Sequence, residues 1–302
     1  MQPGNFVLIT PARNEEATIE VTINSVLAQT IRPKEWIIVS DSSTDRTDDI
    51  VKRFAASNSF IKLLRLDKRP SRNFASVVFA TEAGCHALQT RDYAFLGLFD
   101  ADIRFQPTYF EKLLEHFEAD SSLGLAGGLV LDVTDGLIPR QFQNLREVAG
   151  AVHFFRRECY ESIGGLIAIP EGGWDTITGV QARSNGYATR TFPELVVEHL
   201  KPRNTGEGGS IKRKWQMGVR AYAVGSHPLF EFVKCGSRIL EAPLAVGAAA
   251  RFAGFAYSAV SRRKRVLAPS LIKDVRKEQL ARLLPFRSEK VSTPTRTYQS
   301  TP

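Results

Sequence analysis

The chain has 302 residues, 43% hydrophobic and 24% charged, a balance that supports a buried core and excludes a disordered or fibrous protein. Its net charge of +8 is concentrated at one end: residues 251–302 hold 12 Lys/Arg against 3 Asp/Glu, and residues 1–250 hold 28 against 29. The main domain therefore lacks the basic footprint of a nucleic-acid binder. Three scattered cysteines, Cys85, Cys159 and Cys235, do not make a disulfide framework or a zinc site, and suit a reducing compartment.

The first half alternates two patterns. Short apolar, β-rich runs at "FVLIT" (6–10), "EWIIVSD" (35–41), "IKLLRLD" (61–67), "YAFLGLFDAD" (93–102) and, more weakly, "LGLAGGLVLDV" (123–133) read as strands. Helical patterns occupy 16–29, 47–56, 73–88 and 107–119. The alternation predicts an α/β fold, a mostly parallel sheet sandwiched by helices. Such sheets bind ligands at the carboxyl ends of their strands, which places "TPARNEE", "DSSTD", "DKRPSRN" and "DADIR" on one rim. Taken alone, Ser42, Ser43 and Thr44 would equally well cap the helix that follows.

Beyond residue 134 regularity falls. "IGGLIAIPEGGWD" (163–175) reads as a loop shaped around a ligand, 176–185 as a helix, 188–200 as a returning strand and 203–213 as a candidate lid. Residues 242–260 are apolar but rich in Ala and Gly and interrupted by Arg251, too weak for a full membrane span. With "SRRKR" and "KDVRKEQLARLLPFR" behind them, they predict a segment lying on an anionic membrane face. The alternative is a helical pair packed on the domain with a solvated basic face. The expected divisions are a catalytic domain at 1–205, a lid and helical connection at 206–241, the basic membrane-associated segment at 242–290 and a disordered tail at 291–302. The apolar stretch 6–10 is too short for a signal peptide, so the expected location is the cytoplasmic face of a membrane.

Asp100 and Asp102 would point to the same side of an extended chain. Two such carboxylates suit Mg²⁺ or Mn²⁺ together with substrate phosphates, although an exposed strand end or a phosphatase nucleophile can carry the same pair. Neither G-x-G-x-x-G nor a P-loop is present, which disfavours a dinucleotide or P-loop site.

"TPARNEEATIEVTINSVLAQT", "EWIIVSDSSTDRT", "YAFLGLFDADIRFQPTYFEKLL", "HFFRRECYESIGGL" and "GGWDTITGVQARSNGYATRTFPELVVEH", in this order, resemble the family 2 glycosyltransferases of the GT-A fold across about residues 5–200. The resemblance implies an inverting transfer from a nucleotide-diphosphate sugar. Pro11, Arg13, Glu15 and Asp41 match positions that hold the nucleobase and ribose; Arg72 is a candidate for the diphosphate. Asp102 matches a metal ligand, Asp100 a ribose or metal contact, and His199 a late histidine of the metal shell. Asp175 matches the general base; on the residues alone it could instead cap a helix, and Trp174 could stack on an acceptor or simply pack. The Q-x-x-R-W of processive synthases is absent, with only "KRKW" (212–215) nearby. The expectation is transfer of a single sugar, from a UDP-linked donor, to a glycan or lipid-linked acceptor. A nucleotidyltransferase is the alternative enzyme, but it should carry a basic, glycine-rich first loop. A non-catalytic glycan- or partner-binding subunit is the alternative from another class.

Overall fold

The computed structural model describes residues 4–66, 73–132, 137–138, 141–201, 209–240, 243–284, 290–293 and 296–297. Its first half runs β1 (Phe6–Ala12), α1 (Ile19–Leu27), β2 (Glu35–Asp41), α2 (Thr47–Ser57), β3 (Ile61–Leu66), α3 (Ser76–Ala87), β4 (Phe95–Phe99), β5 (Ile103–Phe105) and α4 (Tyr109–Ala119). There follow β6 (Leu123–Asp132), β7 (Leu137–Ile138), β8 (Gln141–Asn144), β9 (Val152–Arg156), α5 (Arg157–Ser162), α6 (Trp174–Ser184) and β10 (Ala188–His199). The remainder is α7 (Ser210–Ala223), α8 (Pro228–Gly236), α9 (Val246–Val260), α10 (Pro269–Ala281), β11 (Lys290–Thr293) and β12 (Arg296–Thr297).

Eight strands form one sheet in the order β3-β2-β1-β4-β9-β6-β10-β5. The first four are parallel, as the alternating pattern predicts, while β9 enters antiparallel between β4 and β6, and β5 closes the far edge antiparallel to β10. The sheet is thus mixed rather than parallel throughout. Strand β1 shows why both faces are covered: Phe6 and Leu8 enter one core and Val7 and Ile9 the other, all fully buried. The two-residue period of a strand makes this division, and a run apolar on both faces is stable only between two layers of helix. Phe6, Phe110 and Phe154 pack ring against ring in the first core; each buried aromatic contributes about 1.5–3 kcal/mol.

A third core, Ile169, Ile177, Val180, Val224, Leu267, Ile272 and Val275, joins α6 and the end of α7 to α10. The C-terminal helices are therefore packed onto the sheet-bearing part of the chain. Helix α9 crosses α7 where both lack side chains: a Cβ at Gly218 would lie 1.9 Å from the Arg251 carbonyl oxygen, and one at Gly254 2.4 Å from that of Trp215. Glycine permits that approach of two backbones. Arg251, which interrupts the apolar stretch, points inward to the buried Glu231 at 2.9 Å.

Two expectations change here. Residues 210–213 of the candidate lid open α7, while 203–208 lie outside the described residues. Residues 290–293 and 296–297, read from sequence as the edge of the basic segment and a disordered tail, pair antiparallel with β8 and β7. Such short ladders are made by backbone N–H and C=O groups, so side-chain composition gives little sign of them.

Gly218→Ala is expected to destabilise the protein by about 1–3 kcal/mol even though alanine is the better helix former. Urea unfolding measures this; an unchanged or raised midpoint contradicts the close crossing.

Candidate functional site

The first two rim loops are laced together. Asn14 donates its N–H to the Ser43 hydroxyl at 3.2 Å, Glu15 to the Thr47 hydroxyl at 2.8 Å, and Glu16 to the Asp45 carboxylate at 3.0 Å. The Thr44 N–H returns a bond to Asn14 Oδ1 at 2.9 Å. "DSSTD" therefore does not serve as a serine cap for α2, whose N-cap position is Arg46. It is the partner of "ARNEE". Inside this clasp Arg13 lies 3.5 Å from Asp41, and Asp41 Oδ1 is buried without a hydrogen-bond partner. A buried, unsatisfied carboxylate oxygen costs about 1–3 kcal/mol, so it is an acceptor awaiting a donor. Pro11 lies on β1 beyond its last pair with β4. Glu15 is bonded by the Thr18 hydroxyl at 2.7 Å and by the Lys201 ammonium; burial raises its pKa against the pull of those bonds.

After β4 the chain bends instead of running on. Asp100 and Asp102 thus meet through a turn, not through the pleat of one continuous strand. The turn is pinned at three points: the Asp100 N–H donates to the Ala151 carbonyl at 3.0 Å, the Leu200 N–H to the Asp102 carbonyl at 2.8 Å, and the Ile103 N–H to the Thr22 hydroxyl at 3.1 Å. His199 arrives at the end of β10, in register with Ile103 of β5 and Asp132 of β6.

Asp100, Asp102 and His199 bring their ligand atoms within 4.8 Å of one another. His199 Nε2 is 3.6 Å from Asp102 Oδ1 and 3.9 Å from Asp100 Oδ2. Its Nδ1 donates to the Lys201 carbonyl, which turns Nε2 toward the two carboxylates. Two carboxylate oxygens and a ring nitrogen thus face one point, an arrangement that could hold a cation. Burial in the cleft, then the charge of Asp102, raises the Asp100 pKa to about 7. Two hard carboxylate oxygens and one imidazole fit Mn²⁺ or Mg²⁺, with the second ring nitrogen of His199 bonded outward as is usual for a metal ligand.

Asp175 lies in the first turn of α6, behind Gly172 and Gly173 at φ of 88° and 90°. The N-cap is Gly173 and no side chain caps this end, so Asp175 is not the capping residue and its carboxylate borders a cavity instead. Its charge is felt at Asp100, at the buried His153 and at Arg220 of α7. Trp174 packs edge-on against His153 at 5.3 Å between centroids, which is a structural role for that ring. Arg72 lies outside the described residues. Lys201, Asp132 and Arg220 were not singled out from sequence. The strand-end rule that selects Asp100 could have found Asp132, which lies 3.9 Å from His199; Arg220 depends on how α7 folds back.

The mixed sheet, with a carboxylate pair at the end of β4, a histidine at the end of β10 and an acid at the start of α6, has the GT-A fold. Residues 7–141, a little under half of the chain, match the family described as "Glycosyl transferase family 2". Poly-beta-1,6-N-acetyl-D-glucosamine synthase of Staphylococcus aureus is 28% identical over 216 residues, 72% of this chain and 46% of its own length. TuaG of Bacillus subtilis, a glycosyltransferase named for teichuronic acid biosynthesis, is 30% identical over 129 residues, 43% of this chain and 48% of its own. The chain thus spans about half the length of the curated relatives it matches. Among solved structures, a mannosyltransferase of Pyrobaculum calidifontis, in complex with GDP-Man and Mn²⁺, has a TM-score of 0.58 at 18% identity, covering 94% of this chain and 82% of its own. S. aureus TarS 1–349 with UDP-GlcNAc has a TM-score of 0.54 at 17% identity, covering 85% and 73%. At these identities the likeness is one of fold.

A cation must displace the proton that Asp100 takes up below about pH 7. Mn²⁺ affinity should therefore weaken by up to about tenfold per pH unit below 7 and level off above about 8. Paramagnetic-resonance titration of free Mn²⁺ measures it; affinity that is flat between about pH 6 and about pH 8 contradicts the site.

Proposed function

We propose that the protein transfers a single sugar, with inversion, from a nucleotide-diphosphate donor to the hydroxyl of a glycan or lipid-linked acceptor in cell-envelope or exopolysaccharide synthesis. The observation that carries this reading is the pairing of the Asp100–Asp102–His199 cluster with a second carboxylate, Asp175, at the mouth of a separate cavity. Arg13, Asp41 and Pro11 hold the nucleobase side, where the unpaired Asp41 oxygen accepts a hydrogen bond from the base. Glu15, steadied by Lys201, faces the ribose. Asp100 and Asp102, with His199, would hold Mg²⁺ or Mn²⁺, which supplies positive charge to the leaving diphosphate.

In the transfer, the acceptor hydroxyl gives its proton to an Asp175 oxygen as its own oxygen bonds to the anomeric carbon. The bond from that carbon to the diphosphate breaks, its electron pair leaving with the phosphate oxygen. Attack opposite the leaving group inverts the centre. UDP is the expected nucleotide. Single transfer, rather than processive synthesis, is supported by the absence of Q-x-x-R-W. Asp175→Asn should lower transfer by at least about a thousandfold while leaving nucleotide affinity within about twofold. Nucleotide release and calorimetry measure the two quantities; an active Asp175→Asn variant removes the base assignment.

We further propose that the C-terminal helices rest on an anionic membrane at its cytoplasmic face. Among the described residues no helix is long and apolar enough to cross a membrane. Apolar side chains nevertheless stand exposed along 229–260, among them Phe232, Leu240, Leu244, Phe252 and Val260, and Arg262, Arg263, Lys264 and Arg265 follow directly. An apolar ridge flanked by cations suits such an interface. The protein should co-sediment with phosphatidylglycerol vesicles and not with phosphatidylcholine vesicles, and Phe232→Ser with Leu240→Ser should weaken that binding by about tenfold. Equal recovery with both vesicle types contradicts the proposal.

A further inference from the structure

Between α6 and the helices α7 to α10 lies a cavity of about 200 Å³, with Asp175 at its edge. Four cations line it, Arg220, Lys234, Arg251 and Arg282, against three carboxylates, Asp175, Glu231 and Glu278. Most of these charges are already committed. Arg251 holds Glu231 with two bonds of 3.1 and 2.9 Å. Glu278 accepts two bonds of 2.7 and 2.8 Å from Arg183, which comes from the far side of α6. Arg282 bonds Glu147 and lies 3.4 Å from Glu278.

Arg220 and Lys234 remain, neither hydrogen-bonded through its side chain to a carboxylate among the described residues. Arg220 packs its stem beneath the Gly172–Gly173 turn, its Cδ 3.3 Å from where a Cβ on Gly173 would lie. Lys234 Nζ lies 5.5 Å over the ring of Phe230. Burial, then the neighbouring Arg251, lowers the Lys234 pKa to about 8, and burial lowers that of Arg220. Asp175 acts on Arg220 and Glu231 on both cations only through space, so each sheltered cation keeps a desolvation cost that a directly bound oxyanion would reduce.

We propose that this cavity is an oxyanion site, built on Arg220 and Lys234, which holds a phosphate carried by the acceptor so that the attacking hydroxyl is presented to Asp175. The proposal rests on the reading of Asp175 as the base. The donor diphosphate is a poorer occupant, because Asp100, Asp102 and His199, which would hold it, do not line this cavity. The carboxylate of Asp175 repels an anion, which favours the Lys234 side of the cavity. The phosphate belongs either to a lipid carrier or to the glycan itself.

The test is thermal unfolding of the full chain with Mg²⁺ and saturating UDP, titrated with inorganic phosphate. Phosphate should raise the wild-type Tm further, whereas Arg220→Gln and Lys234→Met should need at least about tenfold more phosphate for the same shift. Both variants should keep the shift caused by UDP alone, which also shows that they fold, and Arg220→Lys should recover part of the phosphate response. Equal phosphate responses in wild type and variants overturn the site. So does a phosphate effect that vanishes when UDP is present, since the anion would then occupy the donor site. A wild type that ignores UDP and still responds to phosphate tells against the donor reading and leaves the oxyanion site standing. Stronger displacement of phosphate by glucose 6-phosphate assigns the anion to a glycan, and by monomeric decyl phosphate to a lipid carrier; displacement by neither overturns the proposal.

Discussion

Two carboxylates and an imidazole lone pair converge at the end of β4, and much of the site's architecture holds them there against their repulsion. Like charges about 4 Å apart repel by about 4 kcal/mol in a partly screened protein setting. The bend after β4 is nonetheless fixed by hydrogen bonds from β10, α1 and the segment before β9, and His199 is turned by the carbonyl of Lys201. Such local cost is a familiar signature of a functional site. A cation joining the cluster would relieve the repulsion between its carboxylates.

The same economy separates the two sides of the reaction. The laced loops after β1 and β2, with the Asp41 oxygen left open, form the proposed nucleotide side. The C-terminal helices belong to the proposed acceptor side, since α7 brings Arg220 to the turn before α6. Close crossing of α7 and α9 at Gly218 and Gly254 fixes that placement, and the buried Arg251–Glu231 pair beside it keeps two charges from entering the cavity unpaired. A chain cut after β10 would keep the laced loops and the strand-end cluster and lose most of the residues that line the cavity at Asp175.

The legible and illegible parts of this design divide along a physical line. Strands β1 to β4, helices α1 to α4 and the Asp100–Asp102 pair were readable because period and strand-end position are local properties. The antiparallel β9 was not, because its five residues, Val152–Arg156, owe their conformation to partners on β4 and β6 and carry no turn signal of their own. The pleat rule put Asp100 and Asp102 on one side of a continuous strand, whereas a turn stabilised by Thr22 brings them together. Arg220 was invisible for a related reason: nothing in "KWQMGVRAY" indicates which face of the helix will meet Gly173.

The central claim is that the strand-end cluster and the open Asp41 oxygen together make one site for a cation and a nucleoside diphosphate. Calorimetric titration of UDP and of GDP, with and without Mn²⁺, tests it most directly. At least one of the two should bind about tenfold or more tightly when Mn²⁺ is present, because Asp100, Asp102 and His199 would hold a cation whose positive charge favours the diphosphate. Affinity for both nucleotides that is indifferent to Mn²⁺ would contradict the account.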